Sequence, residues 1–211
     1  MAGHWFLITR PEDLTVGFID ALRPRYIFFP HWSWHVPAAV RARSECVCFH
    51  MADVPYGRGG SPLQNLIARG HKETKLTALR MVEALDAGPV YGKAPLSLAG
   101  RAEDVFARAA DLVYDLIAEI VREEPEPTPQ TGEVTVFSRR TPQMSALPET
   151  GTPEVVYDHI RMLDAPTYPL AFLQHGDFRL EFFDPEFSGD QEVSARVRIR
   201  MSNPESREGD T

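Results

Sequence analysis

Cysteine is scarce in this 211-residue chain: Cys46 and Cys48 are the only two. Two thiols one residue apart cannot frame a disulfide scaffold. On a strand they would share a face, and a bridge between them would close a tiny strained loop. The expectation is a pair of reduced thiols in a reducing compartment. Long apolar runs are lacking too. No stretch approaches the ~18 uncharged apolar residues of a membrane span, and the opening MAGHWFLITRPEDL is too short and interrupted for a signal peptide. The chain is therefore read as cytoplasmic, without a membrane partner. Positive charge is in deficit, with 22 Lys and Arg against 30 Asp and Glu, a net charge of −8. Nucleic acid is usually met by a basic surface, so no nucleic-acid partner is expected. Internal repeats are absent as well. What is present is ordinary for a soluble globular protein, 43% hydrophobic and 25% charged. The length suits one domain, or one domain with a small appendage.

The pattern along the chain alternates short apolar runs with helical periodicity. Trp5 to Ile8 reads as a strand, and Leu14, Phe18 and Leu22 mark a helix face after Pro11. Tyr26 to Phe29 is a second strand, Pro37 opens a short helix, and Cys46 to Phe49 is a third strand. Two β-helix-β units in a row predict a mostly parallel sheet. Pro62 starts a helix that ends at Gly70, and Leu76 to Met81 and Val90 to Lys93 are extended. Arg101 to about Glu124 is the longest helix, with Val105, Ala109, Leu112, Leu116 and Ile120 on its buried stripe. EEPEPTPQTG, with three prolines and no large apolar residue, reads as a linker or surface crossing. A strand in GEVTVFSRR, a helix from Pro153 to Leu163, a hairpin around His175-Gly176-Asp177 and a half-exposed strand in SARVRIRM follow. The expected division is a core over 1–124, a linker over 125–132, a small C-terminal α+β subdomain over 133–201 and a disordered tail over 202–211.

The chemistry-bearing stretch is CVCFHMADVPYGRGGSP, from Cys46 to Pro62. Three readings compete there. Cys46, Cys48 and His50 alternate on a strand, with His31 and His35 nearby in sequence, but no zinc-like C-x-x-C spacing accompanies them. Alternating cysteines on a buried strand are more often small packing groups. GRGGSP has the glycines of a phosphate loop but lacks the Lys-Ser/Thr ending of a Walker sequence. The third reading is acid/base catalysis by His50, which directly follows an apolar strand, where ligands bind in open α/β sheets. Asp86, in EALDAGPVY, follows another such strand and is the candidate partner; Asp-Ala-Gly is equally a good turn.

A wider pattern runs through these residues. His50 to Gly59 followed by Pro62 resembles the H-x-S-L-L-P-x-x-R-G-x-x-P loop of folate-dependent formyltransferases. Gly70, Glu73-Thr74, Thr77, Met81 and Leu85-Asp86-Ala87-Gly88 are similar to that family's G-x-x-E-T-x-x-T-x-x-x-M-x-x-x-L-D-x-G run, and no gap separates His50 from Asp86 in the match. Arg139-Arg140-Thr141-Pro142 with Ser145, and Ile160-Arg161 through Pro169 to Ala171-Phe172, resemble two later segments. The resemblance covers roughly Pro24 to Phe183.

The resemblance implies a truncated, mostly parallel Rossmann-like α/β sheet lacking the first β-α units of the family. It implies transfer of a formyl group from 10-formyltetrahydrofolate to an amine, with no metal. His50 would stabilise the tetrahedral oxyanion or shuttle its proton, and Asp86 would orient His50 and help deprotonate the amine. Folate would lie near PHWSWHVP, against Trp32, Trp34, His35 and Val36, and also meet Asp86. Arg58, Gly59 and Thr74 would contact the acceptor. Cys48 stands in the catalytic set at a position where the family usually has asparagine. A thiol is a weaker donor than an amide, and loss of one oxyanion donor can cost ~10²–10³ in rate. Only a short segment follows the linker, and the charge is acidic. Both favour the branch acting on nucleotide-linked amino sugars, whose members often pair as dimers. A methionyl-tRNA-type enzyme with another acceptor, and a non-catalytic binding protein of this family, are the alternatives.

Overall fold

In the computed structural model the described residues are 3–166, 168–189 and 191–202. They begin with an irregular segment and a 3-10 turn, Pro11–Asp13, then α1, Val16–Leu22, whose N-cap Thr15 accepts from the Phe18 N–H. Next come β1 (Tyr26–Phe29), α2 (Ala38–Arg41), β2 (Glu45–His50), β3 (Tyr56–Gly59), α3 (Pro62–Ala68), β4 (Glu73–Arg80) and β5 (Val90–Ser97). The chain continues with α4 (Ala102–Glu123), β6 (Thr135–Phe137), α5 (Pro153–Arg161), β7 (Ala171–His175), β8 (Phe178–Phe187) and β9 (Val193–Met201). The expected tail from 203 onward lies outside the described residues; Ser202 itself donates its N–H to the Asp177 carbonyl at 2.8 Å.

Two compact units interleave in sequence. One comprises Met1–Pro62, Glu73–Leu96 and Arg108–Phe137; the other comprises Leu63–Lys72, Ser97–Ala107 and Ser138–Thr211. The first unit holds a four-stranded sheet of order β1-β2-β4-β5 and the parallel pair β3-β6. The α/β class is as expected, but the sheet is mixed. β1 and β2 run parallel, as one β-α-β unit should, whereas β4 runs antiparallel to β2, with Thr77 opposite His50. The stretch Leu76 to Leu79 of β4 is buried on both faces, and such a run does not encode strand direction. Trp5 to Ile8 forms no strand. Its aromatics pack instead, Trp5 on Phe28 at 6.3 Å and Phe6 edge-on to Phe18. One face of α4 supplies Val113, Leu116, Ile117 and Ile120 to a core with Val47, Leu76 and Ala78. Leu116 and Ile120 belong to the stripe read from the sequence and Leu112 packs partly buried against this core, whereas Val113 and Ile117 were outside that reading.

The second unit holds the antiparallel sheet β7-β8-β9 and α5. Its buried Arg161 is held by three hydrogen bonds: Nε donates to Asp158 Oδ1 at 2.6 Å, and Nη1 donates to the carbonyls of Leu98 and Gly100. A guanidinium left unpaired there would be strongly destabilising, so its partners fix the start of α4 and the end of α5 within this unit. Among the described residues no helix is long and apolar enough to cross a membrane.

Candidate active site

His50 is the last residue of β2 and is only 8% exposed. Its Nε2 lies 2.7 Å from the Gly57 carbonyl oxygen. A carbonyl only accepts, so this nitrogen carries a proton and donates it. The other ring nitrogen, Nδ1, faces Asp86 Oδ2 at 3.5 Å. A proton on Nδ1 would make that separation a charge-assisted contact; without it, two lone pairs face each other. The imidazole is thus placed between a fixed acceptor and a carboxylate.

The loop between β2 and β3 is built to hold this ring. Thr77 donates its hydroxyl to the Ala52 carbonyl at 2.7 Å and so pins the chain just after His50. Asp53 is gripped by Lys93 at 2.5 Å and Lys75 at 3.0 Å, and Lys93 also donates to the Val54 carbonyl. Burial alone would raise the Asp53 pKa, but the two lysines outweigh it and hold the carboxyl below its ordinary value. Gly57 and Gly59 have φ of 82° and 99°, the left-handed region, and added Cβ atoms would strike the Phe137 ring and carbonyl of β6. The glycines therefore let β3 lie against β6 while turning the Gly57 carbonyl toward His50.

Asp86 sits on the excursion between β4 and β5. That loop is closed at its base by Arg80 N–H to Pro89 O, 2.9 Å. Gly88 is required there, because a side chain would overlap the Arg80 carbonyl. Asp86 itself has a φ of 52°, left-handed for a residue with a Cβ, at a cost of about 1 kcal/mol. Two groups hold it. The Gly59 N–H donates to Oδ2 at 2.9 Å. Gln130 donates Nε2 to the main-chain carbonyls of Asp86 and Gly88, each at 2.8 Å. Gln130 Oε1 in turn accepts from Arg58 Nε and Nη2 at 3.1 and 2.8 Å.

The sequence-expected residues divide accordingly. His50, Asp86 and Gly59 are brought together directly. Arg58 joins them through Gln130, so its guanidinium braces the loop. Trp34, His35, Val36, Cys48 and Asp86 line one cleft of about 120 Å³, together with Arg41, Leu79 to Glu83 and Leu85. Trp32 is not in that lining; it packs edge-on to Trp34 at 4.9 Å and to Phe29 at 5.7 Å, and its indole N–H has no hydrogen-bond partner among the described residues. Thr74 lies at the start of β4, outside the cleft lining. Cys48 lies in the cleft wall, yet its Sγ is directed to the Leu79 carbonyl at 3.7 Å. Burial, reinforced by the Asp86 charge, pushes its pKa up to about 12, so it remains a thiol. Gln130, which joins Arg58 to the Asp86 loop, was not singled out in the sequence, because it lies in the stretch read as a linker. Among the described residues no three His, Cys, Asp or Glu side chains converge as metal ligands.

Comparison with known proteins bears on the family and the fold. Residues 142–200 match the family model described as methionyl-tRNA formyltransferase, C-terminal domain. A solved methionyl-tRNA formyltransferase from Clostridium thermocellum is 43% identical, with a TM-score of 0.89, over 92% of this chain and 86% of that one. The methionyl-tRNA formyltransferase of Bacillus pumilus is 25% identical over 194 residues, 86% of this chain and 61% of the relative. A sugar N-formyltransferase from a Shewanella species shares the fold, with a TM-score of 0.63 at 17% identity over 89% of this chain and 74% of that one. This chain spans 31–61% of the length of the first curated relatives it matches.

Proposed function

We propose that this chain, which belongs to the formyltransferase family, moves a formyl group from 10-formyltetrahydrofolate to an amine, using His50 and Asp86. The observation that carries this reading is the His50–Asp86 pair, 3.5 Å apart, whose Asp86 also lines the cleft beside Trp34. Folate supplies the activated formyl group; the chain supplies positioning and proton handling. As an amine adds to a formyl carbon, the nitrogen must lose a proton while the oxygen gains negative charge. Asp86 is the nearby carboxylate able to take that proton, and a protonated His50 Nδ1 would oppose the oxyanion; collapse of the adduct then breaks the bond from the formyl carbon to N10 of the folate, and the proton passes to N10 as tetrahydrofolate leaves.

The cleft suits a flat heterocycle. Trp34, Val36, Met81 and Leu85 give it apolar walls, and Asp86 gives it an acceptor end. At about 120 Å³ it is well below the ~300–1,000 Å³ of a whole-ligand pocket, so it would grip one end of the co-substrate. Cys48 would act there as wall, its thiol committed to Leu79. Thr74 and Trp32 are proposed as contacts of the wider site, reached from the start of β4 and from beside Trp34. The two free thiols fit action in the reducing cytoplasm.

For the acceptor we infer an amino sugar, in nucleotide-linked form, on an enzyme that pairs as a homodimer. The net charge of −8 supports a small acceptor over a polyanion. One observation favours initiator methionyl-tRNA instead: Arg179, Arg196, Arg198 and Arg200 share a face of β8 and β9, within the segment matching the tRNA-enzyme model. Three of them already converge on Glu181, at 3.5, 3.9 and 3.2 Å, which offsets part of that charge. The discriminating experiment follows tetrahydrofolate release from 10-formyltetrahydrofolate with a panel of 4-amino sugar nucleotides and, in parallel, initiator methionyl-tRNA. Turnover confined to a sugar nucleotide is the expected result. Turnover confined to methionyl-tRNA would replace the acceptor, and none with either would end the formyl-transfer reading.

A further inference from the structure

The segment between α4 and β6 is rich in proline and looks like a passive connection, but its contacts describe a fastener for the reactive carboxylate. Thr128 exchanges both main-chain hydrogen bonds with Val90, at 2.7 and 2.8 Å, just after the Asp86 loop. Thr135 donates its N–H to the Pro55 carbonyl at 3.2 Å, in the His50 loop. Between these two anchors stands Gln130, which makes the four hydrogen bonds described above. Its amide orientation is not arbitrary. Arg58 can only donate, so Oε1 must face it; the Asp86 and Gly88 carbonyls can only accept, so Nε2 must face them. Both amide hydrogens and the amide oxygen are used, with no surplus. The carbonyl gripped by Nε2 belongs to a residue held at positive φ, where the main chain would otherwise relax. The same residue's carboxylate is held by Gly59, the neighbour of Arg58.

We infer that Gln130 is a positioning residue: with Arg58 it latches the Asp86 main chain and so sets the Asp86 carboxylate against His50. The inference rests on the formyl-transfer reading for its consequence in rate, but the latch itself is a property of the structure. The latch thus grips the main chain of Asp86, while Oδ2 of its carboxylate takes the Gly59 N–H and faces His50 Nδ1. A displacement of about 1 Å from productive geometry can cost ~10²-fold in rate.

Two variants separate the parts of the latch. Gln130→Met removes all four hydrogen bonds at similar length. Gln130→Glu keeps the acceptor for Arg58 but sets an oxygen against the two carbonyls. Both should keep the wild-type circular dichroism spectrum and lose kcat roughly 10–100-fold, with KM for either substrate changing by less than about threefold. In an Asp86→Asn background, Gln130→Met should add less than about threefold, because the two act as one unit. Wild-type kcat in Gln130→Glu would overturn the latch, and so would a fully multiplicative loss in the double variant. If Gln130→Met does not fold, Gln130→Glu carries the same two outcomes. If the wild-type protein turns over no acceptor, the formyl-transfer reading fails by itself. The latch is then read from the imidazole ¹H–¹⁵N signals of His50, which should shift in the Gln130 variants; unmoved signals would overturn it.

Discussion

A thiol beside a carboxylate is an unpromising nucleophile. Cys48 shows why: burial and the Asp86 charge act in the same direction, and the proton stays on sulfur to about pH 12. In the folded protein Cys48 and the buried Cys46 should therefore resist a thiol reagent at pH 8 and react only after denaturant is added. Rapid labelling of Cys48 in the native state, read by mass spectrometry, would contradict this. Asp53 makes the opposite case. Its folded pKa is depressed by Lys93 and Lys75, so the unfolded chain binds its proton first as pH falls. The stabilisation is present above the ordinary carboxylate range and is lost as pH drops below about 4. Wild-type stability, measured by urea unfolding between pH 5 and 2, should fall more steeply than that of Asp53→Asn; parallel curves would refute the assignment. At this scale the residue types were legible. His50 and Asp86 could be named from their places after apolar runs and from the family resemblance. Their partners could not, because Gly57 and Gly59 act through main-chain groups that any residue possesses.

At the scale of elements, the loop geometry depends on glycines that admit no side chain. Gly88→Ala should destabilise the protein by roughly 2–4 kcal/mol, since its Cβ would overlap a main-chain oxygen that cannot swing away. Chemical denaturation measures this directly, and a loss under about 0.5 kcal/mol would mean that the loop has another conformation available. Helices were read well from periodicity: α4 runs from Ala102 to Glu123, within one residue of its expected bounds at each end. Strands were read less well. β3 hides in a glycine-rich stretch that looks like a loop, because its pairing with β6 is supplied by residues far along the chain. Trp5 to Ile8 has strand composition but packs through its rings. The proline-rich segment was correctly excluded from helix, yet nothing local reveals that Gln130 reaches back 44 positions to the Asp86 carbonyl. Side-chain hydrogen bonds across such distances leave no periodic trace.

On the scale of the whole molecule, two units interleave along the chain, and no single boundary in the sequence announces them. The α/β class emerged from alternating elements, whereas the mixed direction of the sheet did not, because apolar runs carry no arrow. The site lies within the first unit, while the match to the methionyl-tRNA formyltransferase C-terminal model lies within the second. The central claim concerns the first unit, that its His50–Asp86 pair performs formyl transfer. The most direct test is single-turnover formyl transfer to the acceptor found by the panel, in wild type, His50→Ala and Asp86→Asn. Each variant should retain the wild-type circular dichroism spectrum and lose at least about 10²-fold in rate. Undiminished transfer by a folded His50→Ala variant would contradict the account.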